Sequence, residues 1–418
     1  MFQTKPGSFF RKLEGLIFDY YAEIRALLAG NVGLMALSWF LFSLSGSLVN
    51  PFFAKYAKDL GATDLEIAYM RSIGILAFAL SLIPGGFLTD YLGRVKVIVI
   101  GTGGIVITQF LYALAQDWKQ LAIIWVVDQI LHFYSPALTA IIMDSLTRGK
   151  EFSGFLVLNV ASALPGTFMP VVGGLLYEEL GVTGVRVGFI ASGVISLTVF
   201  FIRLKMLKET FRPSDKELSK FILELAGYRP ILNKALRVYV FSALIWPLVY
   251  GVLNTYGAIY AIDVLGLSKP EWGIITSFST MGNIVISLLL VKHRSFRLDT
   301  AILFTCVATS FSFILMALPY FIDSNPLIFL FTAFLIQAIS STVINSGIST
   351  LLTRILPREV RGRVTGIQRM LENLGSSMAS MVAGFLYVLT GPGNSFVISA
   401  FICTIGCVYL WLFVLRSI

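Results

Sequence analysis

Gly86-Phe87-Leu88-Thr89-Asp90-Tyr91-Leu92-Gly93-Arg94-Val95-Lys96 joins two apolar runs, roughly 65–88 and 95–115. Each run is long enough to cross a bilayer as a helix, which takes about 20 mostly apolar residues. The stretch between them reads as a tight turn. Gly93 permits the chain reversal, while Asp90 and Arg94 place opposite charges at helix ends. Outward from this loop, charged or Gly/Pro-rich breaks separate twelve such runs: 31–53, 65–88, 95–115, 120–143, 152–176, 185–207, 235–262, 270–292, 300–319, 326–352, 361–389 and 394–415. Of the 418 residues, 56% are apolar types and 13% are charged, about half the charged share of a soluble protein. Soluble enzyme, disordered scaffold and disulfide-stapled secreted protein are excluded, and an all-α membrane protein is expected.

An even number of spans puts both termini on one side. The formal charge is +9, and 26 of the 32 Lys and Arg residues fall on that side, leaving only Lys55, Lys58, Arg71, Lys119, Arg186 and Lys269 outside or near the outer end. Basic residues accumulate in cytoplasmic loops, so both termini are expected in the cytoplasm of a multi-pass cell-membrane protein. The positive charge is then topology, and nucleic-acid binding loses its motive. Cys306, Cys403 and Cys407 lie in apolar runs, with neither a disulfide framework nor zinc spacing, and read as helix packing. No removable signal peptide is expected ahead of the spans. Residues 9–28 carry apolar side chains at helical spacing and read as an interfacial helix. Residues 208–234 form a polar break with a capping box, Ser214 to Glu217. The expected organisation is an N-terminal amphipathic segment (1–30), a six-helix bundle (31–207), a linker (208–234) and a second six-helix bundle (235–418).

The two halves repeat. Gly174-Leu175-Leu176-Tyr177 followed by Gly181 matches Gly384-Phe385-Leu386-Tyr387 followed by Gly391, and Arg148-Gly149-Lys150 echoes Arg361-Gly362-Arg363. Duplicated bundles suit carriers that rock about a midplane site. The loop from Gly86 to Lys96 also resembles the signature of the major facilitator superfamily, G-x-L-x-D-x-x-G-R-x-K, with Gly86, Leu88, Asp90, Gly93, Arg94 and Lys96 in place. The resemblance implies twelve transmembrane helices in two pseudo-symmetric six-helix bundles. It also implies a conformational gate at Asp90, Arg94 and the acid at the inner end of span 4, Asp144. The equivalent loop after span 8, Lys292-His293-Arg294, lacks the acid. Span 5 contains Pro165-Gly166 and Met169-Pro170, then Gly173-Gly174. It is similar to the family's antiporter motif, a Gly-Pro-x-x-Gly-Gly pattern, with Met169 where that motif has glycine. As plain packing, the same residues make a kinked helix that neighbours approach closely.

Ionisable groups inside spans are site candidates. Span 4 carries Asp128, His132, Ser135 and Thr139 at i, i+4, i+7 and i+11, a polar stripe on one face of a continuous helix. Proton exchange suits an aspartate beside a histidine, whose unperturbed pKa is about 6.5. A metal site needs more ligands, a hydrolase lacks an oxyanion hole, and a structural ion pair with Arg71 is the bland alternative. Depth along the helices places Arg71 and Asp128 near one level, and they are expected to form a coupling pair. Drug exporters of the family often keep an arginine near this part of span 4, where this chain has Asp128. Trp246, Tyr250, Asn254 and Gly257 on span 7, with Phe334, Gln337, Ser341 and Asn345 on span 10, offer aromatic and amide groups to a mostly apolar ligand. Trp39, Ser43, Ser47 and Asn50 add to these from span 1. No phosphate-cradling motif is present, so a monomeric carrier working by alternating access without ATP, cofactor or metal is expected. Proton-coupled export of an amphipathic organic compound comes first. Uptake of a small polar solute and a non-transporting receptor or scaffold are the alternatives.

Overall fold

The computed structural model describes residues 29–146, 151–210, 229–292, 298–355 and 358–417. The expected interfacial helix 9–28, the Ser214–Glu217 box, Arg148-Gly149-Lys150 and residues 293–297 after span 8 lie outside the described residues. Eleven described helices are long and apolar enough to cross a membrane. In chain order the spans are α1 (Gly30–Asp59), α2 (Asp64–Leu92), α3 (Arg94–Leu114), α4 (Trp118–Ser145), α5 (Val157–Leu180), α6 (Val182–Met206), α7 (Ala235–Val264), α8 (Lys269–Lys292), α9 (Leu298–Phe321) and α10 (Pro326–Ile355). The 33-residue α11 (Arg358–Thr390) and α12 (Pro392–Val414) complete the set. Of these, α11 is kept more polar by Asn373, Ser376, Ser377 and Ser380. No strand occurs among the described residues. The result is the expected all-α architecture of two six-helix bundles, α1–α6 and α7–α12.

Side chains such as Ile107, Phe304 and Leu389 are 61%, 74% and 79% exposed. In water such a surface would aggregate, whereas in hydrocarbon it has no such cost. Corresponding helices of the two bundles begin with the same device. Glu66 N donates to Thr63 Oγ1 at 3.3 Å while the Glu66 carboxylate accepts from Thr63 N at 2.8 Å, opening α2. Ser268 and Glu271 repeat this at α8, at 3.4 and 2.8 Å. Each capping box satisfies N–H groups that a helix start leaves without partners. At the ends of α5 and α11, Gly181 and Gly391 both take positive φ, 58° and 87°, as the internal repeat predicts.

Gly93 (φ 90°, ψ 160°) ends α2 and starts α3. A left-handed φ of this kind suits glycine, so the turn in the signature loop has the cause expected from the sequence. Gly86 is different, since a Cβ there would meet nothing within 4 Å. Its neighbour Gly85 takes the close contact, where a Cβ would lie 1.8 Å from the carbonyl oxygen of Phe133 on α4. Gly85→Ala is therefore expected to destabilise by at least the ~1–3 kcal/mol typical of overpacking. Gly86→Ala should leave stability unchanged or raise it by up to ~1 kcal/mol through helix propensity. Thermal unfolding in detergent measures both, and equal midpoints would contradict the packing.

The bundles meet along α2 against α11 and α5 against α8. Ser377 Oγ donates to Ser72 O at 2.8 Å. A Cβ on Gly174 would come within 2.6 Å of Lys269 O, and one on Gly273 within 2.4 Å of Pro170 O. The small residues of span 5 thus let α5 and α8 touch backbone to backbone.

Candidate functional site

Span 4 is not the continuous helix that its polar periodicity predicts. A 3-10 turn, His132–Tyr134, separates Trp118–Leu131 from Ser135–Ser145. Pro136 explains the break, because it has no N–H to give and its ring crowds the carbonyl four residues back, at His132. Ser135 Oγ donates to that carbonyl at 2.8 Å. Thr139 Oγ1 likewise bonds back to Ser135 O, at 3.4 Å. These two hydroxyls serve their own helix, and the stripe reduces to Asp128 and His132.

Asp128 is 5% exposed. It accepts from Thr108 Oγ1 on α3 at 2.5 Å, and His132 Nδ1 lies 3.7 Å from its carboxylate. The same Nδ1 sits 2.8 Å from the Asp128 main-chain oxygen. A carbonyl oxygen only accepts, so Nδ1 carries the hydrogen and Nε2 is left as the atom that takes up a proton. The expected pairing of Arg71 with Asp128 does not occur, and no ion pair joins them. Equal depth does not set azimuth, and Asp128 faces α3 whereas Arg71 faces the opposite bundle.

Arg71 lines a cavity of about 440 Å³ between the bundles. Its walls include Ser47, Asn50 and Phe53 from α1, Gly166 and Pro170 from span 5, Asn254 and Thr255 from α7, Trp272, Thr276 and Thr280 from α8, and Phe334 from α10. Arg71 makes no hydrogen bond or ion pair among the described residues, and its Nε is buried without a partner. Asn254 is shared with a second cavity of about 550 Å³ that takes in Trp246, Tyr250, Ser341 and Asn345 and runs to Gln368, Arg369 and Glu372. Most sequence candidates on spans 7 and 10 are thereby brought together. Gln337 is the exception. It is turned toward α9, where its Nε2 lies 3.8 Å from Met316 Sδ, and it lines neither cavity.

Bonds between the bundles gather at the end where α1 meets α2. Asp263 at the end of α7 receives Lys55 at 3.1 Å and Lys58 at 3.8 Å, both from α1. Lys55 also pairs with Asp59, which accepts from the Tyr177 hydroxyl. Lys269 Nζ meets Glu178 at 3.0 Å, Trp272 Nε1 donates to Pro51 O at 2.9 Å, and Tyr256 donates to Asp64 O at 2.5 Å. At the opposite end, Arg94 pairs with Asp144 and donates to Ala140 O at 3.2 Å and Thr210 Oγ1 at 2.9 Å. All these partners belong to the first bundle or the start of the linker. Of the expected gate residues, Arg94 and Asp144 pair while Asp90 is exposed, and among the described residues Arg94 makes no bond to the second bundle. The molecule is sealed at the Lys55–Asp263 end, and its second cavity leads toward the other.

Several functional candidates were not visible in the sequence. Thr108 looks like an ordinary residue of an apolar run. Arg203, counted by sequence with the basic residues of the cytoplasmic side, is 1% exposed inside α6. Its guanidinium lies 5.0 Å from the Phe42 ring, and its Nη1 donates to Thr102 Oγ1 at 2.7 Å. Cys306, Cys403 and Cys407 converge between α9 and α12, their sulfurs within 4.8 Å of one another. Cys403 Sγ points to Cys306 O at 3.5 Å, in keeping with close helix packing.

The sequence profile of the Major Facilitator Superfamily matches residues 35–336 and 297–417. Among curated proteins, an uncharacterised MFS-type transporter of Methanocaldococcus jannaschii is 23% identical over 394 residues, covering 88% of this chain and 94% of that one. The multidrug resistance protein MdtG of Escherichia coli is 24% identical over 384 residues, covering 90% and 92%. Among solved structures, a D-xylose-proton symporter superposes with a TM-score of 0.74 at 13% identity, covering 92% and 97%. A signature turn built on Gly93, two bundles around a shared cavity and a profile match along nearly the whole length lead to one assignment: the chain belongs to the major facilitator superfamily of transporters.

Proposed function

We propose that this transporter exports amphipathic organic compounds in exchange for protons, by alternating access. The observation that carries the proposal is the central cavity, walled by both bundles and closed at one end by bonds between them. Aromatic walls at Phe53, Trp272 and Phe334 with a few amides at Asn50 and Asn254 suit an apolar body bearing a polar group. Asp128 and His132 are the proton-exchanging pair, since His132 Nδ1 lies 3.7 Å from the buried Asp128 carboxylate and a protonated imidazole would face it. The 24% identity to a protein named for multidrug resistance supports export. Basic residues Arg94, Lys96, Lys205, Lys208 and Arg237 support a cytoplasmic Gly93 end, with both termini on that side of the cell membrane. The sealed Lys55–Asp263 end then faces outward. Each chain encloses its own cavity and works as a monomer.

Proteoliposomes with an internal pH dye test the exchange. Imposing a proton gradient should drive 2-naphthalenesulfonate, its neutral sulfonamide or (2-naphthyl)trimethylammonium opposite to the protons. Movement with the protons would assign symport instead, and no flux of any kind would point to a non-transporting protein.

A further inference from the structure

We infer that the central cavity is an organic-anion site, with the Arg71 guanidinium holding a sulfonate, carboxylate or phosphate group. This deepens the export proposal and rests on it for the identity of the transport site. Arg71 is a cation set within the apolar part of the protein, where a charge without a partner is costly. It has no hydrogen bond or ion pair among the described residues, and its Nε is buried and unpartnered. Among the described residues no Asp or Glu lines the cavity. The acids nearest in sequence are engaged elsewhere, Glu66 with the Thr63 N–H and hydroxyl and Asp64 with Lys58, and Asp128 is held by Thr108.

The remaining polar groups agree with an anion. Thr255 Oγ1 lines the same cavity, buried and unpartnered. The side-chain amides of Asn50 and Asn254 make no hydrogen bond among the described residues, so both have N–H groups to give. A guanidinium presents a planar fork of donors that matches two oxygens of one anionic group. Phe53, Trp272 and Phe334 would enclose the apolar remainder of the molecule. A cationic drug would meet the Arg71 charge with no carboxylate to offset it.

Binding to the purified full-length protein in detergent tests this with three probes of one shape and pH-independent charge: 2-naphthalenesulfonate, 2-naphthalenesulfonamide and (2-naphthyl)trimethylammonium. The sulfonate should bind at least about tenfold more tightly than the other two. Arg71→Gln should remove that advantage and leave sulfonamide affinity within about twofold. Arg71→Lys, which keeps the charge and loses the fork, should retain part of it, and serves if the Gln variant does not fold. A cation that binds as tightly as the anion, an anion preference that survives Arg71→Gln, or no binding of the sulfonate would overturn the inference. These readouts need neither flux nor a pH gradient. A failed charge preference therefore leaves the export proposal standing, and a failed proton exchange leaves the anion site standing.

Discussion

Asp128→Asn should abolish pH-driven accumulation while substrate exchange at equal pH continues. The amide oxygen of Asn can still accept from Thr108, so the α3–α4 contact survives and the protein should fold. What is lost is the charge that answers a protonated His132, 3.7 Å away. The initial rate of pH-driven transport should fall at least about a hundredfold, the low end of what a positioned proton-transfer group contributes. His132→Asn should cause a similar but smaller loss, because Asp128 itself remains. If Asp128 serves packing alone, the outcome reverses: the melting temperature drops and the remaining transport stays equally pH-driven. Flux into proteoliposomes, with and without a pH gradient, distinguishes the two.

Asp263→Asn should open the sealed end. Among the described residues, Asp263 is the one acid that both Lys55 and Lys58 reach across the bundle interface, at 3.1 and 3.8 Å. Partly exposed ion pairs of this kind contribute roughly 0.2–1 kcal/mol each. Losing both, ~0.4–2 kcal/mol together, should move the conformational equilibrium by about 2–30-fold. A cysteine at Ser47, which lines the central cavity, should then react with an impermeant maleimide added from the Lys55 side. Background is low, since Cys306, Cys403 and Cys407 are buried. Unchanged labelling would mean that the α5–α8 and α2–α11 contacts hold this end closed without the ion pairs.

Span positions were legible because each apolar run ends at charges or glycine, and the bilayer fixes how long a run must be. The turn at Gly93 and the Arg94–Asp144 pair were legible for a related reason, as local geometry and a motif of fixed spacing. Span 4 was misread although the signal was present: the i, i+4, i+7 pattern was carried straight through Ser135-Pro136. The Arg71–Asp128 pair failed because rise per residue gives depth and says nothing of which neighbour a face meets. Thr63-x-x-Glu66 and Ser268-x-x-Glu271 could have been found from sequence as a further trace of duplication. The Lys55–Asp263 contact could not, since only the packing of two bundles brings residues so far apart in sequence together.

Alternating access requires the two ends of the molecule to move in opposite senses. Spin-label pairs at Gln116 and Asn325, beside the sealed end, and at Tyr91 and Thr300, at the other, measure this by distance in wild-type protein and in Asp263→Asn. In the variant, the population with a long Gln116–Asn325 distance should grow while that with a long Tyr91–Thr300 distance shrinks. Both distances lengthening together, or neither changing while cavity labelling rises, would contradict transport by alternating access.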